Sequence, residues 1–132
     1  MKKPFHIPVR VYYQDTDAGG VVFHGQYLAF MERARTELLN DARIDIAAFS
    51  ERHGLLFVVH ELNVKYHLPA RLNDLLSVSA EVATIGRASM RFRQRVERGA
   101  ELLVEGEVVV ALVDRSRMRP VRMPQELEQA LK

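Results

Sequence analysis

The chain has 132 residues, 48% apolar content, no cysteine and a net charge of +2. That length suits one domain with a real core, since domains most often hold about 100–150 residues and bury roughly two-thirds of the unfolded chain's surface. The missing cysteine excludes disulfides, thiolate zinc sites, iron–sulfur clusters and a cysteine nucleophile. No stretch approaches the roughly 20 apolar residues of a membrane span. Lys2 and Lys3 are followed by no apolar signal region, because Pro8, Arg10 and Gln14 interrupt it. A cytoplasmic address is the expectation.

Residues Ile7–Tyr13 alternate, with Val9, Val11 and Tyr13 on one side. This predicts a strand, with Pro8 tolerable at its start or at an edge. Asp15 to Gly20 reads as a loop from its Asp and Gly content. A helix follows, starting between His24 and Gln26 and fading by Asn40. Its apolar stripe is Tyr27, Phe30, Met31, Ala34 and Leu38, while Glu32, Arg33, Arg35 and Glu37 face elsewhere. A short helix over Asp45–Arg52 ends at Gly54.

Leu55–His67 is extended and closed by Pro69. Leu76, Val78, Ala80 and Val82 alternate with Ser77, Ser79, Glu81 and Ala83; Met90, Phe92, Gln94 and Val96 alternate with Arg91, Arg93, Arg95 and Glu97. Leu102–Val113 is a long strand, with Gly106 a bulge or a point of close approach. Short turns at Gly86-Arg87 and Arg98-Gly99-Ala100 make these runs antiparallel hairpins. Pro124–Leu131 is a short terminal helix with proline at its start.

The order of strand, long helix and four further strands gives an α+β class over residues 1–132. One amphipathic helix must cover one face of the antiparallel sheet. The last strand is apolar on both faces, with Val108, Val110 and Leu112 on one and Val109, Ala111 and Val113 on the other. That predicts burial of the second face, or of a sheet edge, by another subunit. The alternative is that the terminal helix packs there.

The stretch from Tyr13 to Tyr27 runs from a strand end, through a glycine loop, into a helix N-terminus. Free N–H groups at such a terminus stabilise negative charge, including a developing oxyanion. A carboxylate near them stays ionised, suited to act as base or nucleophile. Asp15 and Asp17 both lie just ahead of that point, and either serves equally well to organise the loop through an Asx-turn. His24 reads as a site residue or as an ordinary residue of the helix start. The histidines lack the HxxxH or HExxH spacing of a helical metal site, so no metal and no cofactor are expected. No GxSxG elbow occurs.

Val11-Tyr12-Tyr13-Gln14-Asp15-Thr16-Asp17-Ala18-Gly19-Gly20-Val21-Val22-Phe23-His24-Gly25-Gln26-Tyr27-Leu28, followed by Glu32-Arg33-Ala34-Arg35-Thr36-Glu37, resembles the Tol-Pal-associated acyl-CoA thioesterase (YbgC) family of the 4-hydroxybenzoyl-CoA thioesterase superfamily. The likeness continues through Val64-Lys65-Tyr66-His67, Pro69-Ala70-Arg71 and Asp74. The chain departs from that pattern at Gln14, Phe23 and Gly25-Gln26, where Glu, Tyr and Ala-Asn are common.

The resemblance implies a hotdog fold, a long central helix wrapped by a curved five-stranded antiparallel sheet. It implies a homodimer, paired further into a homotetramer, that hydrolyses an acyl-CoA thioester to a free acid and coenzyme A. By the same resemblance Asp17 is the catalytic carboxylate, with His24 and Tyr13 positioning substrate, water or Asp17. Lys65, Arg71, Arg87 and Arg91 are candidates for the coenzyme A phosphates, as are Arg93, Arg95 and the Arg115-Arg117-Arg119 group. An acidic acyl carrier protein is a further partner for such a surface. The rival readings are a scaffold or binding module and a hotdog hydratase. Few aromatics interleave with the arginines, which argues against nucleic acid as a partner.

Overall fold

The second half of the chain folds up as its turns dictate. Gly99 adopts φ +58°, the left-handed region that favours glycine, and reverses the chain between two strands. A computed structural model describes residues 4–132. Its strands are β1 (Phe5–Arg10), β2 (Leu55–Tyr66), β3 (Leu75–Ile85), β4 (Ser89–Arg98) and β5 (Glu101–Asp114). Its helices are α1 (Gln26–Asp41), α2 (Ile46–His53) and α3 (Gln125–Leu131), with a 3-10 turn at Tyr13–Asp15. The described strands form one antiparallel sheet in the order β1-β3-β4-β5-β2. The outermost strands are β1 and the twelve-residue β2.

The apolar stripe of α1 lies on this sheet as its spacing requires. Tyr27, Phe30, Met31 and Ala34 are buried against Val78, Ala80, Val96 and Val104. Burial of each large side chain contributes about 1.5–3 kcal/mol. Gly106 stays in register, opposite Val64 on β2 and Gln94 on β4. It is therefore no bulge but the point of close approach: a Cβ there would stand 3.4 Å from the Met31 Sδ. The irregularities fall elsewhere, including one extra residue on β2 between Val59 and Glu61.

One expectation is corrected, one is refined and one alternative is set aside. The first strand ends at Arg10 and Tyr13 enters the 3-10 turn, because Val11 and Asn73 bond each other's segment in place of a ladder: Val11 N–H donates to Asp74 O and Asn73 N–H to Val11 O. Proline 124 caps α3 from outside rather than occupying its first position. The terminal helix does not cover the second face of β5. Its Leu127 and Leu131 share a core with Phe49, Val108, Val110 and Leu112, on the side that α1 also covers. On the other face Val109 and Val113 each keep 9% of their surface exposed within the single chain. Large apolar residues are exposed on the edge strand at Val59, Leu62 and Tyr66, and outside it at Tyr12, Tyr13, Phe23, Leu68, Leu72, Leu75 and Met118.

Candidate active site

The loop after β1 is a small hairpin held by its own backbone. Asp17 N–H donates to Val21 O at 2.9 Å, Gly20 N–H donates to Asp17 O at 3.0 Å, and Gly20 takes φ +81° to close the turn. Phe23 N–H donates to Asp15 O, and Val22 N–H to Ala70 O, which fixes the hairpin to the segment after β2. The Asp17 carboxylate is exposed, and its Oδ1 accepts the Gly19 N–H at 2.8 Å. The geometry leaves Oδ2 free to face a substrate or a water.

The hairpin delivers the chain to the start of α1. Gln26 N–H donates to Phe23 O and Leu28 N–H to Gly25 O, while the N–H groups of Gly25 and Tyr27 donate to no backbone group. These orphan donors, with the helix dipole behind them, suit a negative oxygen. His24 sits at this point with its ring against Phe23 at 4.3 Å. The Tyr66 hydroxyl donates to the His24 carbonyl at 2.9 Å, which ties the helix start to the end of β2. The buried Tyr27 hydroxyl accepts the Ala70 N–H at 2.9 Å, and burial pushes its pKa up.

Asp15 and Asp17 are thus separated by environment. Asp15 is buried and accepts from Tyr12 N–H at 2.8 Å and from Gln26 Nε2 at 2.9 Å. It organises the loop, one of the two roles open from sequence. Tyr13 is 82% exposed, with its carbonyl rather than its hydroxyl engaged, by Thr16. Asp17 lies on the hairpin, His24 just ahead of the helix start, and Tyr13 on the 3-10 turn that precedes the hairpin.

The candidate cations divide into two groups. Arg71 forms a bridge with Val21 at the Asp17 loop, and Lys65 precedes Tyr66 at the same end of β2. Arg98, unforeseen from sequence, is at this end too: it donates to Asp74 at 2.6 Å and to Pro69 O at 3.3 Å. Burial alone would raise the Asp74 pKa, but the Arg71 N–H and Arg98 hold it below the usual aspartate value. Arg91 is seven residues along β4 from Arg98, about 23 Å away at strand rise, and Arg87 lies beyond it in the β3–β4 turn. Neither is brought to Asp17 within one chain. Arg91, Arg93 and Arg95 do share the face away from α1, where Glu107, Glu81 and Glu97 pair with them at 3.1–3.6 Å. Among the described residues, no three His, Cys, Asp or Glu groups stand close enough to hold a metal ion.

The hairpin thus carries an exposed carboxylate and leads into a helix start whose first N–H groups have no backbone partner among the described residues, parts that an acyl-transfer hydrolase can use. The thioesterase superfamily model matches residues 19–105, and the chain belongs to that family. It is 46% identical to the acyl-CoA thioesterase YbgC of Haemophilus influenzae, over 96% of this chain and 93% of that protein. The acyl-CoA thioester hydrolase YbgC of Escherichia coli O157:H7 is 44% identical, over 93% and 92%. Among solved structures, a probable thioesterase from Bartonella henselae superposes with a TM-score of 0.87 at 31% identity, covering 92% of this chain and all of that one. The fold is the hotdog expected from sequence.

Proposed function

We propose that the protein is an acyl-CoA thioesterase that uses Asp17 as its catalytic carboxylate. The observation that carries the reading is the exposed Asp17 carboxylate on a hairpin that leads into the start of α1, where the Gly25 and Tyr27 N–H groups have no backbone partner among the described residues. The thioester oxygen sits on those N–H groups, where negative charge developing during attack is stabilised. Asp17 either takes a proton from a water that attacks the carbonyl carbon or attacks that carbon itself. In both routes the C–S bond breaks and coenzyme A leaves as its thiolate and takes up a proton; the water route gives the acid directly, whereas direct attack leaves an acyl–Asp17 anhydride that a water then hydrolyses, freeing the acid and restoring the carboxylate. His24 and Tyr13 position the substrate and the water.

Lys65 and Arg71, at the Asp17 end, take the coenzyme A phosphates of their own subunit's site. Arg87 and Arg91 serve a neighbouring subunit's site. The working unit is a homodimer, paired into a homotetramer, and the exposed Val59, Leu62 and Tyr66 on the edge strand support it. The Tol-Pal link rests on the family resemblance, and an acidic acyl carrier protein partner on the arginine surface of β4; a cytoplasmic address is proposed with them. No helix among the described residues is long and apolar enough to cross a membrane.

A thiol-release assay over a panel of acyl-CoA thioesters tests the activity. Asp17→Asn should lower kcat by about 10²–10⁴ while leaving the fold and the oligomer intact. Turnover by Asp17→Asn at the wild-type rate removes Asp17 from the mechanism.

A further inference from the structure

Arg35 is on α1 but not on its solvent side, contrary to the helical pattern. Its Nη1 donates to the Gln94 Oε1 at 2.9 Å. Gln94 is fully buried and is itself fixed, since its Nε2 donates to Met31 O at 2.9 Å and to Ser79 O at 3.2 Å. The guanidinium is therefore held in one place by a rigid acceptor. It carries five N–H donors in a planar fork, and among the described residues Gln94 is its one hydrogen-bond partner. No carboxylate lies within ion-pair distance. Glu32, the nearest acid in charge terms, acts on it only from farther away. Burial lowers the Arg35 pKa, so the cation is in surroundings that favour an anion beside it.

The space in front of Arg35 is a groove of about 430 Å³ between α1 and the edge strand. It is lined by Leu28, Ala29, Met31, Val59, Leu62 and Val108, with Arg35 and the acidic Glu32 also on its wall. That volume falls in the range of small-ligand sites. Its course starts near the candidate catalytic centre. Tyr66 touches His24 at the helix start, and Leu62 and Val59 follow Tyr66 along β2 as Leu28 and Arg35 follow His24 along α1. Arg35 is nine residues beyond Gln26, about 13 Å along the helix.

We propose that Arg35 is a specificity-determining residue that binds a carboxylate at the far end of the acyl group, so that the preferred substrate is a medium-length acyl-CoA carrying a terminal carboxylate. The assignment rests on the thioesterase reading above. An apolar chain of the right length lies along the groove and its carboxylate meets the unused fork, a bidentate match. A methyl end of the same length leaves those donors unpaired.

The test is a thiol-release assay on pairs of acyl-CoA thioesters of equal chain length, one methyl-ended and one carboxylate-ended, across short to long chains. The expected result is a preference in kcat/KM of about tenfold or more for the carboxylate-ended member within one band of lengths. In Arg35→Gln the ratio should fall towards one, and Arg35→Lys should keep part of it. Circular dichroism and molar mass in solution establish that the variants fold and assemble. Equal rates for both members, or a ratio unchanged in Arg35→Gln, overturn the assignment while leaving the thioesterase reading in place. So does an Arg35→Gln protein that loses assembly but keeps the ratio, since the anion is then on a second subunit. Cleavage of no thioester overturns both.

Discussion

Asp15 is buried between Tyr12 N–H and Gln26, whereas Asp17, two residues on, is exposed with a single bond from Gly19. Asp15→Ala strands two part-buried donors, the Tyr12 N–H and Gln26 Nε2, and should destabilise the protein by about 1 kcal/mol, read from urea unfolding. Gln26→Met keeps the size of the side chain but releases the helix start from the loop. It should lower kcat more than it raises KM, and Gln26→Asn should restore part of the rate. Asp74 carries a pH dependence. Its pKa is lower folded than unfolded, so its stabilising contribution is present at neutral pH and is lost as pH falls through the ordinary aspartate range towards the folded value. Arg98→Met should therefore be destabilising at pH 7, and its gap from wild type should narrow in urea unfolding as the pH drops below about 4. Asp17 and His24 could be nominated from the sequence because the motif that carries the family resemblance is local. Arg35, Arg98 and Tyr66 could not, since their partners lie 59, 24 and 42 residues away.

At the scale of elements, α2 shows how completely local chemistry can set a boundary. Asp45 accepts the Ala48 N–H at 3.0 Å at the start, and Gly54 ends the helix with φ +63°. Asp45→Ala should cost about 1 kcal/mol, measured by thermal or urea unfolding. Gly106 is the tertiary counterpart. It already stands at contact distance from Met31 and from the Asn63 carbonyl, so Gly106→Val should overpack the α1–sheet seam by about 1–3 kcal/mol. The hairpins β3–β4 and β4–β5 were readable because period-two alternation and short turns are local signals. The strand order was not, since β2 pairs with β5 across some 50 residues that carry no turn signal for that pairing.

For the whole molecule, the consequential surface is the outer edge of β2. Its exposed Val59, Leu62 and Tyr66 flank unpaired backbone groups, which is the surface that edge-to-edge assembly uses. A lysine at Leu62 should lower the molar mass measured by light scattering, with far-ultraviolet circular dichroism unchanged. Of the two places the two-sided β5 offered for another subunit, the second face or a sheet edge, the exposed β2 edge is the one we propose.

The same strand holds an extra residue, His60, between Val59 and Glu61. Leu55, Phe57 and Val59 face α1 before it, and Leu62, Val64 and Tyr66 face α1 after it, so the odd-numbered row hands over to the even-numbered one. Removing His60 would leave an unbroken alternation with every neighbour still on its present side. Mid-strand length changes normally invert the residues that follow. Here the fold has a position where the gene can lose a codon in register and still encode the same two faces, as it also can at Ala83 on β3 and Leu103 on β5, and relatives lacking such a residue should align around it without further adjustment.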